Sequence, residues 1–540
     1  MLKTIKLDIN LAVKVFAISV ALPMLSGIAT KIYWYLQMRT GVEGPYFLYY
    51  SGSLRTAFFI YLTSPILFIA LIWAANQSAV IRKCLLSPRI RYSTLWLGLI
   101  IAIAFTLRII TVLNVDHTPP QQPYVGDQGC YYGSALGFME GEYPMLFFNR
   151  SHVGLLWAPL FMLFENNVLA ALLLNVVTST LTVYLVYRIT TMVSGKTCMG
   201  LIAAGLLAVF PSHVILCRVL ITETTFTFFM VFALFWLIRF GVMSSLPQYW
   251  ISRRWILDIF LCGINLGICH WIRPLAVLVW LVAVVWLIII VNRKMGLSLR
   301  RSLIAIVVLS AIFYSSILWL MLANYRFQGE FSPSYMEGRG LALLAGTLKQ
   351  QRGTGLNNMD RFEELGKLQS EELSRKNALP ISMYGHKEVQ GILAKAAWRR
   401  ILDSPVEFLS MAATEKMCKL WTPPIMGDNP VKILNSVFFP GAILNSFLIS
   451  FTVLSALSLF VYGVEDRRAM LLLLALILVT ACSTCHFMFD SMARYRFYCA
   501  PWLIILITLS MQTISDKFGK HLIIPSNVKD RGHSITNGKV

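Results

Sequence analysis

The stretch Gly126 to Pro144, GDQGCYYGSALGFMEGEYP, is a polar island in an otherwise very apolar chain. It contains Asp127, followed closely by Tyr131 and Tyr132, and closes with two glutamates. A carboxylate here can accept a proton from an attacking hydroxyl group. The tyrosines can contact a substrate or lie in the aromatic belt at a membrane surface. Asp127 is therefore a candidate for acid–base chemistry, and it also suits the role of a cap for a helix beginning near Tyr131.

Arginine and further polar side chains recur along the chain in positions that suit a phosphate-containing substrate. A guanidinium binds phosphate oxygens through parallel hydrogen bonds, although an arginine at a membrane interface often only extends toward water. An acidic residue at the start of a helix can likewise be a simple cap. The candidates are Arg150, Arg273, Arg494 and Arg496 for phosphate binding, Glu223 as a second acidic residue, and His486 and Asp490 as substrate contacts.

The elements that must position these residues are membrane helices. The chain has 540 residues, of which 57% are hydrophobic and only 14% charged, which is typical of a polytopic membrane protein. Runs of about 20 apolar residues match the thickness of a bilayer. The sequence predicts an all-α protein with about 12 membrane helices, over residues 9–30, 56–76, 93–114, 167–187, 198–216, 223–243, 254–271, 274–292, 302–324, 433–461, 468–488 and 497–515. The shorter run 153–164 is predicted to be an interfacial or re-entrant helix.

The distribution of lysine and arginine predicts the orientation of the chain. Cations are retained on the cytoplasmic side of membrane proteins. With the N-terminus inside, 22 of them fall in cytoplasmic segments and eight in the short outer loops, namely Lys31, Arg39, Arg55, Arg150, Arg218, Arg273, Arg494 and Arg496. Both termini are therefore predicted inside and the candidate residues outside. The net charge of +21 is spread over many loops, so membrane electrostatics explains it without nucleic acid.

Two predicted outer segments exceed the length of a short loop. One spans residues 114–152, and the other, of over 100 residues, has apolar residues at helical spacing and predicts a mainly helical outer domain. The predicted organisation is two N-terminal helices (1–92), a membrane core (93–324), the outer helical domain (325–431), the C-terminal membrane helices (432–515) and a cytoplasmic tail (516–540).

The ten cysteines show no paired spacing of a zinc or redox site. Cys482 and Cys485 form a CxxC at the outer end of a predicted helix, where a disulfide is one interpretation and inert buried thiols are another. The histidines also lack ligand spacing. We therefore expect no metal and no cofactor.

Several motifs in a fixed order resemble the GT-C fold glycosyltransferases, in the group of protein O-mannosyltransferases and lipid A aminoarabinose transferases. After the aspartate of the first outer loop come EGEYP and NRSHVGLLWAPLFMLF. Further along are AAGLLAVFPSHVILCRVLITETTFTFFMVFALF, GICHWIRPLAVLVWL and ARYRFYCAPWLIILI. The resemblance covers roughly residues 93–515. Two departures are Gln128, where many relatives have a second acid, and Ser151, where relatives have proline after the cation.

The resemblance implies an integral inner-membrane enzyme with its active site on the outer, periplasmic side. The donor would be a sugar on a polyprenyl phosphate, transferred in one inverting step to a lipid, glycan or protein acceptor. Asp127 takes the place of the family's first-loop aspartate, with Asp116 as the fallback, and Glu223 takes the second acidic position. Arg150 takes the place of the cation near the donor phosphate. No metal is required, because arginines can stabilise a departing phosphate.

Two other classes of protein fit part of this pattern. A ligase or polymerase of lipid-linked glycans also uses outer arginines, but it does not need the acidic first loop. A transporter usually shows two comparable halves and binds its substrate near the middle of the membrane. This sequence shows no such halves, and its charges gather on one face. The glycosyltransferase is therefore the preferred interpretation.

Overall fold

The computed structural model describes most of the chain, and all of the regular structure in the described part is helical. The described residues are 9–39, 59–71, 73–74, 92–115, 117–120, 126–141, 153–165, 167–244, 246–291, 299–328, 331–333, 339–348, 358–375, 387–421, 432–462, 466–489 and 493–522.

The first half of the chain contains the helices that carry most of the membrane core. In chain order they are α1 (Ile9–Arg39), α2 (Phe59–Leu71), α3 (Ser93–Leu113), α4 (Gly126–Met139), α5 (Gly154–Leu163), α6 (Val168–Ser194), α7 (Thr197–Ala208), α8 (Pro211–Ile215, continued by a 3₁₀ turn Leu216–Arg218), α9 (Glu223–Met243), α10 (Pro247–Ile251), α11 (Arg254–Ile272) and α12 (Ala276–Val291).

The second half contains the long α13, a group of shorter helices and the last membrane helices. They are α13 (Leu299–Gln328), α14 (Arg339–Gly346), α15 (Asn358–Arg375), α16 (Lys387–Asp403), α17 (Pro405–Met411, continued by a π-helical turn Ala412–Lys416), α18 (Met417–Trp421), α19 (Lys432–Tyr462), α20 (Asp466–Met488), a 3₁₀ segment Ala493–Cys499 and α21 (Ala500–Leu522).

The polytopic all-α architecture predicted from the apolar runs is confirmed. Each of the twelve predicted segments contains a helix. Among the described residues, eight helices are long and apolar enough to cross a membrane, and α7 with α8 forms a ninth, bent candidate. Three other predicted spans, α2, α12 and α20, are shorter apolar helices in the described residues. The total of twelve crossings therefore stays a prediction, and the short helix expected at 153–164 is present as α5.

The span predicted at 198–216 is not one straight helix. It bends by 58° between α7 and α8, because Pro211 cannot continue the hydrogen-bond ladder of the preceding turn. The carbonyl groups left at the end of α7 are bound by Arg108, whose side chain is fully buried. Its guanidinium donates to Ala208 O at 2.9 Å, to Leu207 O at 3.3 Å and to Ser179 Oγ at 2.7 Å. A buried cation thus satisfies the polar groups exposed by the break.

The centre of the bundle is formed by α6, α9, α11 and α13, which pack in that order. The contact between α11 and α13 depends on small residues. A Cβ atom on Gly263 would lie 2.7 Å from Ile312 Cγ2, and one on Gly267 would overlap Ser316. Glycine therefore lets these helix backbones approach closely, as is common in membrane proteins. Helix α1 packs against α19 and α20, so an N-terminal helix borders the C-terminal part of the bundle.

Polar contacts at one end of the bundle join residues at or near the predicted cytoplasmic ends of the membrane helices. Lys196 forms an ion pair of 3.1 Å with Asp516, and Arg239 forms one of 3.3 Å with Asp258. Tyr249 donates to Asp258 at 2.6 Å; burial and this hydrogen bond raise the pKa of Tyr249. Because Asp516 is in contact with the bundle, α21 continues beyond the predicted end at 515, to Leu522.

The described part of the long outer segment is helical, as the sequence predicted. Helices α14, α15 and α16 share a small apolar core that includes Leu344, Leu348, Leu373 and Leu393. The π-helical turn Ala412–Lys416 and α18 pack against α1, α20 and the 3₁₀ segment. The outer segment is therefore attached directly to the ends of the membrane helices.

Candidate active site

The centre of the candidate site is a buried ion pair between two predicted residues. Glu223 is the first residue of α9, and its fully buried carboxylate lies 2.6 Å from Arg273 Nη2. Arg273 Nε also donates to Thr222 Oγ1 at 2.7 Å. The guanidinium thus contacts two consecutive side chains.

Local sequence explains why these side chains meet. Arg273 precedes Pro274, and a residue before proline is driven out of the helical conformation. Its backbone is accordingly extended, with φ −149° and ψ 129°, directly after the end of α11. The side chain leaves the helix axis and reaches the neighbouring α9. A carboxylate in the first turn of a helix also lies at the positive end of the helix dipole.

The turn before Glu223 is held by side chains of two other helices. Asn175 of α6 donates to Val219 O at 3.3 Å and accepts from Thr225 Oγ1 at 3.0 Å. Gln128 of α4 accepts a hydrogen bond of 3.3 Å from Leu220 N. The residue after Asp127 therefore contacts the backbone only a few positions before Glu223. Gln128, which differs from the family pattern, joins the first outer segment to the ion pair.

Asp127 lies in the first turn of α4, which begins at Gly126 and not near Tyr131 as expected. The predicted cap at the start of a later helix is therefore wrong, because the polar residues before Tyr131 are already helical. An acidic residue in a first turn is still stabilised by the helix dipole. Stabilisation of the first turn of α4 is therefore an alternative to a catalytic role for Asp127.

Tyr131 and Tyr132 point into the protein. Their side chains are buried and pack on α5, with ring centroids 6.1 Å from Trp157 and 5.4 Å from Phe161, respectively. These contacts fix α4 against α5. A role as substrate contacts stays a prediction, but the observed positions of both rings explain them as packing residues.

His486, near the end of α20, lies beside a tyrosine that sequence reasoning missed. His486 Nε2 and the Tyr498 hydroxyl oxygen are 2.7 Å apart. The ring of Tyr498 also meets Phe226 edge-on at 5.6 Å, and Phe226 follows Glu223 by less than one helical turn. His486 and the ion pair are therefore linked through Tyr498 and Phe226. The available signal for Tyr498 was its position in ARYRFYC, two residues after the predicted Arg496.

Arg496 binds carbonyl groups of the outer segment. Its Nη1 donates to Trp421 O at 3.2 Å and to Leu420 O at 3.4 Å, at the end of α18. The cation therefore stabilises a helix C-terminus, which is a role that the sequence did not suggest. Arg494 lies in the same 3₁₀ segment, and its side chain is outside the described part of the structure.

A further polar contact missed by sequence reasoning lies where the long outer segment begins. His270, in the last turn of α11, donates to Pro333 O. Asn324, near the end of α13, donates to Ser332 O at 2.8 Å. Both residues hold the segment 331–333 over the end of α11 that carries Arg273. The sequence offered no pattern for this contact beyond polar residues at two helix ends.

Three of the expected site residues, Arg150, Asp490 and the fallback Asp116, lie outside the described residues. Cys482 and Cys485 are both free thiols on α20, and Cys482 Sγ donates weakly to the Tyr498 hydroxyl at 3.7 Å. Within the described ranges, no group of three histidine, cysteine, aspartate or glutamate side chains is arranged to hold a metal. Independence from metals stays a prediction.

Comparison with known proteins supports the predicted resemblance. Residues 155–333, which include Glu223 and Arg273, match the family model described as dolichyl-phosphate-mannose-protein mannosyltransferase. This match confirms the resemblance to that group, and it leaves Asp127 and Arg496 outside the matched residues. No curated protein sequence matches the chain significantly.

Two solved structures are similar in their fold at low sequence identity. The archaeal oligosaccharyltransferase AglB from Archaeoglobus fulgidus, in complex with an inhibitory peptide and a dolichol-phosphate, is 14% identical with a TM-score of 0.46, over 82% of this chain and 52% of that chain. ArnT from Cupriavidus metallidurans, bound to undecaprenyl phosphate, is 17% identical with a TM-score of 0.33, over 78% of this chain and 78% of that chain. The chain thus spans about half the length of the archaeal protein.

Proposed function

We propose that this protein is a membrane glycosyltransferase that takes its sugar from a polyprenyl-phosphate donor. The observation that carries the proposal is the Glu223–Arg273 ion pair at the start of α9, inside the residues matched by the mannosyltransferase family model. The ligands named for the two similar structures, dolichol-phosphate and undecaprenyl phosphate, are of the same chemical class.

The proposed reaction is a single inverting displacement. A hydroxyl oxygen of the acceptor forms a bond to the anomeric carbon while the bond from that carbon to the phosphate oxygen breaks. The proton of the hydroxyl passes to the carboxylate of Asp127, and the polyprenyl phosphate leaves with the bonding electrons. Arg273 stabilises the charge that develops on the phosphate, and Glu223 with Thr222 holds the guanidinium in position.

The geometry supports a site of this kind at one end of the bundle. Gln128 joins the helix of Asp127 to the turn before Glu223, so the proposed base and the proposed phosphate-binding group are attached to the same turn. The contacts of Glu223, Gln128, His270 and Arg496 all join residues predicted outside. Those of Lys196 and Arg239 join residues at or near the predicted cytoplasmic ends of the membrane helices. An active site on the outer face, in the inner membrane, is consistent with this separation.

The test is a transfer assay with the purified protein in liposomes. Polyprenyl phosphates carrying different radiolabelled sugars are supplied with membrane lipids, glycans and peptides as acceptors, and the labelled fraction is identified. We expect one donor to be consumed with release of polyprenyl phosphate. Glu223→Gln should abolish most of this turnover, whereas Asp258→Asn, which alters the ion pair at the opposite end of the bundle, should retain it. Absence of turnover with every donor, or equal losses in both variants, would contradict the proposal.

A further inference from the structure

Four large apolar side chains form an exposed stripe on the outer segment. They are Trp398 and Leu402 of α16 and Val406 and Leu409 of α17, with exposed fractions of 48%, 73%, 78% and 53%. Trp398 and Leu402 are four residues apart and share one side of α16, and Val406 and Leu409 are three residues apart and share one side of α17, with Ser404 between the two helices. Contiguous exposed apolar surface of this kind marks a contact with a partner or a membrane.

The other sides of α16 already have partners. Leu393 and Ala397 are buried in the small core that α16 shares with α14 and α15. Arg399 lies 3.6 Å from Glu372 of α15, and Arg400 donates to Thr347 Oγ1 at 3.1 Å. The stripe is thus the side of α16 that faces away from the rest of the outer helices.

Three contacts fix the level of the stripe relative to the membrane helices. Ser26, within the apolar span of α1, donates to Ala413 O at 2.5 Å. Lys416 is fully buried and donates to Phe487 O at 2.8 Å, at the end of α20. Arg496, at the start of the last apolar span, donates to Trp421 O. The residues that directly follow α17 therefore lie at the ends of three membrane helices.

We propose that the stripe formed by Trp398, Leu402, Val406 and Leu409 inserts into the lipid leaflet on the side of the outer segment. The occupant is lipid acyl chains, because the π-helical turn after α17 is bonded to α1 at Ser26, and α1 exposes Leu22 and Leu25 within one helical turn of that contact. The stripe extends this lipid-facing surface. Lys395, an exposed cation on the preceding turn of α16, suits contact with lipid headgroups.

The insertion gives the outer segment a second attachment to the membrane. The first consists of the hydrogen bonds of Lys416 and Arg496 to helix ends. With both, the outer helices are kept at the bilayer surface beside the 3₁₀ segment 493–499. This inference concerns the surface of the protein and does not depend on the proposed reaction.

The experiment is site-specific photocrosslinking of the full chain in phospholipid nanodiscs. The photoreactive residue p-benzoylphenylalanine replaces Leu402, Val406 or Leu409 in separate variants, and the lipids carry a tagged acyl chain. The matched control replaces Glu371, an exposed residue of α15 in the same outer segment. Each variant is first shown to elute as the parent protein does. Three stripe positions are used so that the test still stands if one variant fails to fold.

We expect tagged lipid on the three stripe variants at a yield at least about tenfold above the Glu371 control. Equal yields at the stripe and at the control would overturn the proposal. Crosslinks to a second copy of the chain or to another protein would also overturn it, since they would identify a protein as the occupant. A stripe that gives no lipid adduct, or that crosslinks only within the chain, has the same consequence.

Discussion

The carboxylate of Glu223 lies 2.6 Å from the guanidinium of Arg273; Glu223 is the first residue of α9 and Arg273 directly follows α11. The local sequence accounts for the extended backbone at Arg273, but it does not identify Glu223 as the partner. The pair is also almost wholly withdrawn from water, with exposed side-chain fractions of 0% and 16%. Breaking a buried pair by removing one partner is costly because the other charge remains, so the variants below use conservative changes.

Arg273→Lys is expected to lower transfer by about tenfold, because an ammonium group cannot hold Thr222 and Glu223 as a planar fork does. A loss of about 1.5 kcal/mol corresponds to this factor. The measurement is the donor dependence of the rate in liposomes. Arg239→Lys, in the ion pair with Asp258, is the matched control and should transfer normally. A parental rate for Arg273→Lys would assign the guanidinium to folding alone.

Asp127→Asn is expected to reduce transfer by about 100-fold or more, because it removes the base and keeps the size of the side chain. The loss of a negative charge from the first turn of α4 alone would cost about 0.3–1 kcal/mol of stability. The rate and the thermal midpoint are measured on the same purified sample. Parental turnover would place the base elsewhere, with Asp116 or Glu223 next in line.

Arg496→Ala distinguishes phosphate binding from the capping of α18. Loss of a charge-assisted hydrogen bond to the donor, about 1.5–3 kcal/mol, would raise the donor KM by roughly tenfold or more. We expect this rise together with a lower thermal midpoint. Lys416→Met is the control, since Lys416 also binds helix-end carbonyl groups but is not a predicted phosphate ligand. A lower midpoint with an unchanged donor KM in Arg496→Ala would leave only the structural role.

Gly346→Ala should destabilise the protein. A Cβ atom at this position would overlap Met488 O and lie 3.2 Å from Lys416 Nζ, where the outer segment meets the end of α20. Gly366→Ala in α15 is the comparison, since its Cβ would have open space, and alanine in a helix interior is favoured by about 0.5–1 kcal/mol. Thermal unfolding in detergent is the measurement. Equal thermal midpoints for the two variants would show that the residues around Gly346 can accommodate a methyl group without loss of stability.

The orientation of the chain is tested by labelling variants with cysteine at Gly126 or Lys520. We expect an impermeant thiol reagent to reach the first from the outer side and the second only after the membrane is opened. The cation distribution is the physical basis of this expectation. Labelling at Gly126 from the cytoplasmic side alone would invert the proposed site.

Each predicted apolar run coincides with a helix in the described part of the chain, because hydrophobicity and length act locally along the chain. The break after Ala208 could be anticipated only in part. Pro211 is visible in the sequence, but the cation that stabilises the break is Arg108, about a hundred positions earlier. The sequence likewise predicted Glu223 and Arg273 as separate candidates. Their pairing depends on the packing of α9 against α11, which no periodicity describes.

Other site residues make contacts that the sequence did not indicate. Arg496 was expected at a phosphate and is hydrogen-bonded to Leu420 and Trp421, since uncapped carbonyl groups attract cations wherever they are close. Tyr131 was considered a substrate contact and packs on Trp157, because a large ring is stabilised by burial. These contacts could not be predicted from the sequence, because they join residues that are far apart in the chain.

The guanidinium of Arg108 holds the broken span formed by α7 and α8 in a fixed geometry. Ser179 accepts a hydrogen bond from Arg108 and donates one to His213 O in α8. The direction of α8 after the break is therefore determined by buried residues. The turn that follows α8 ends at Glu223 and is the one that Gln128 joins to α4. A change at Arg108 would therefore shift the proposed base and the proposed phosphate-binding group together, and a defect of catalysis could originate in the hydrophobic interior of the protein.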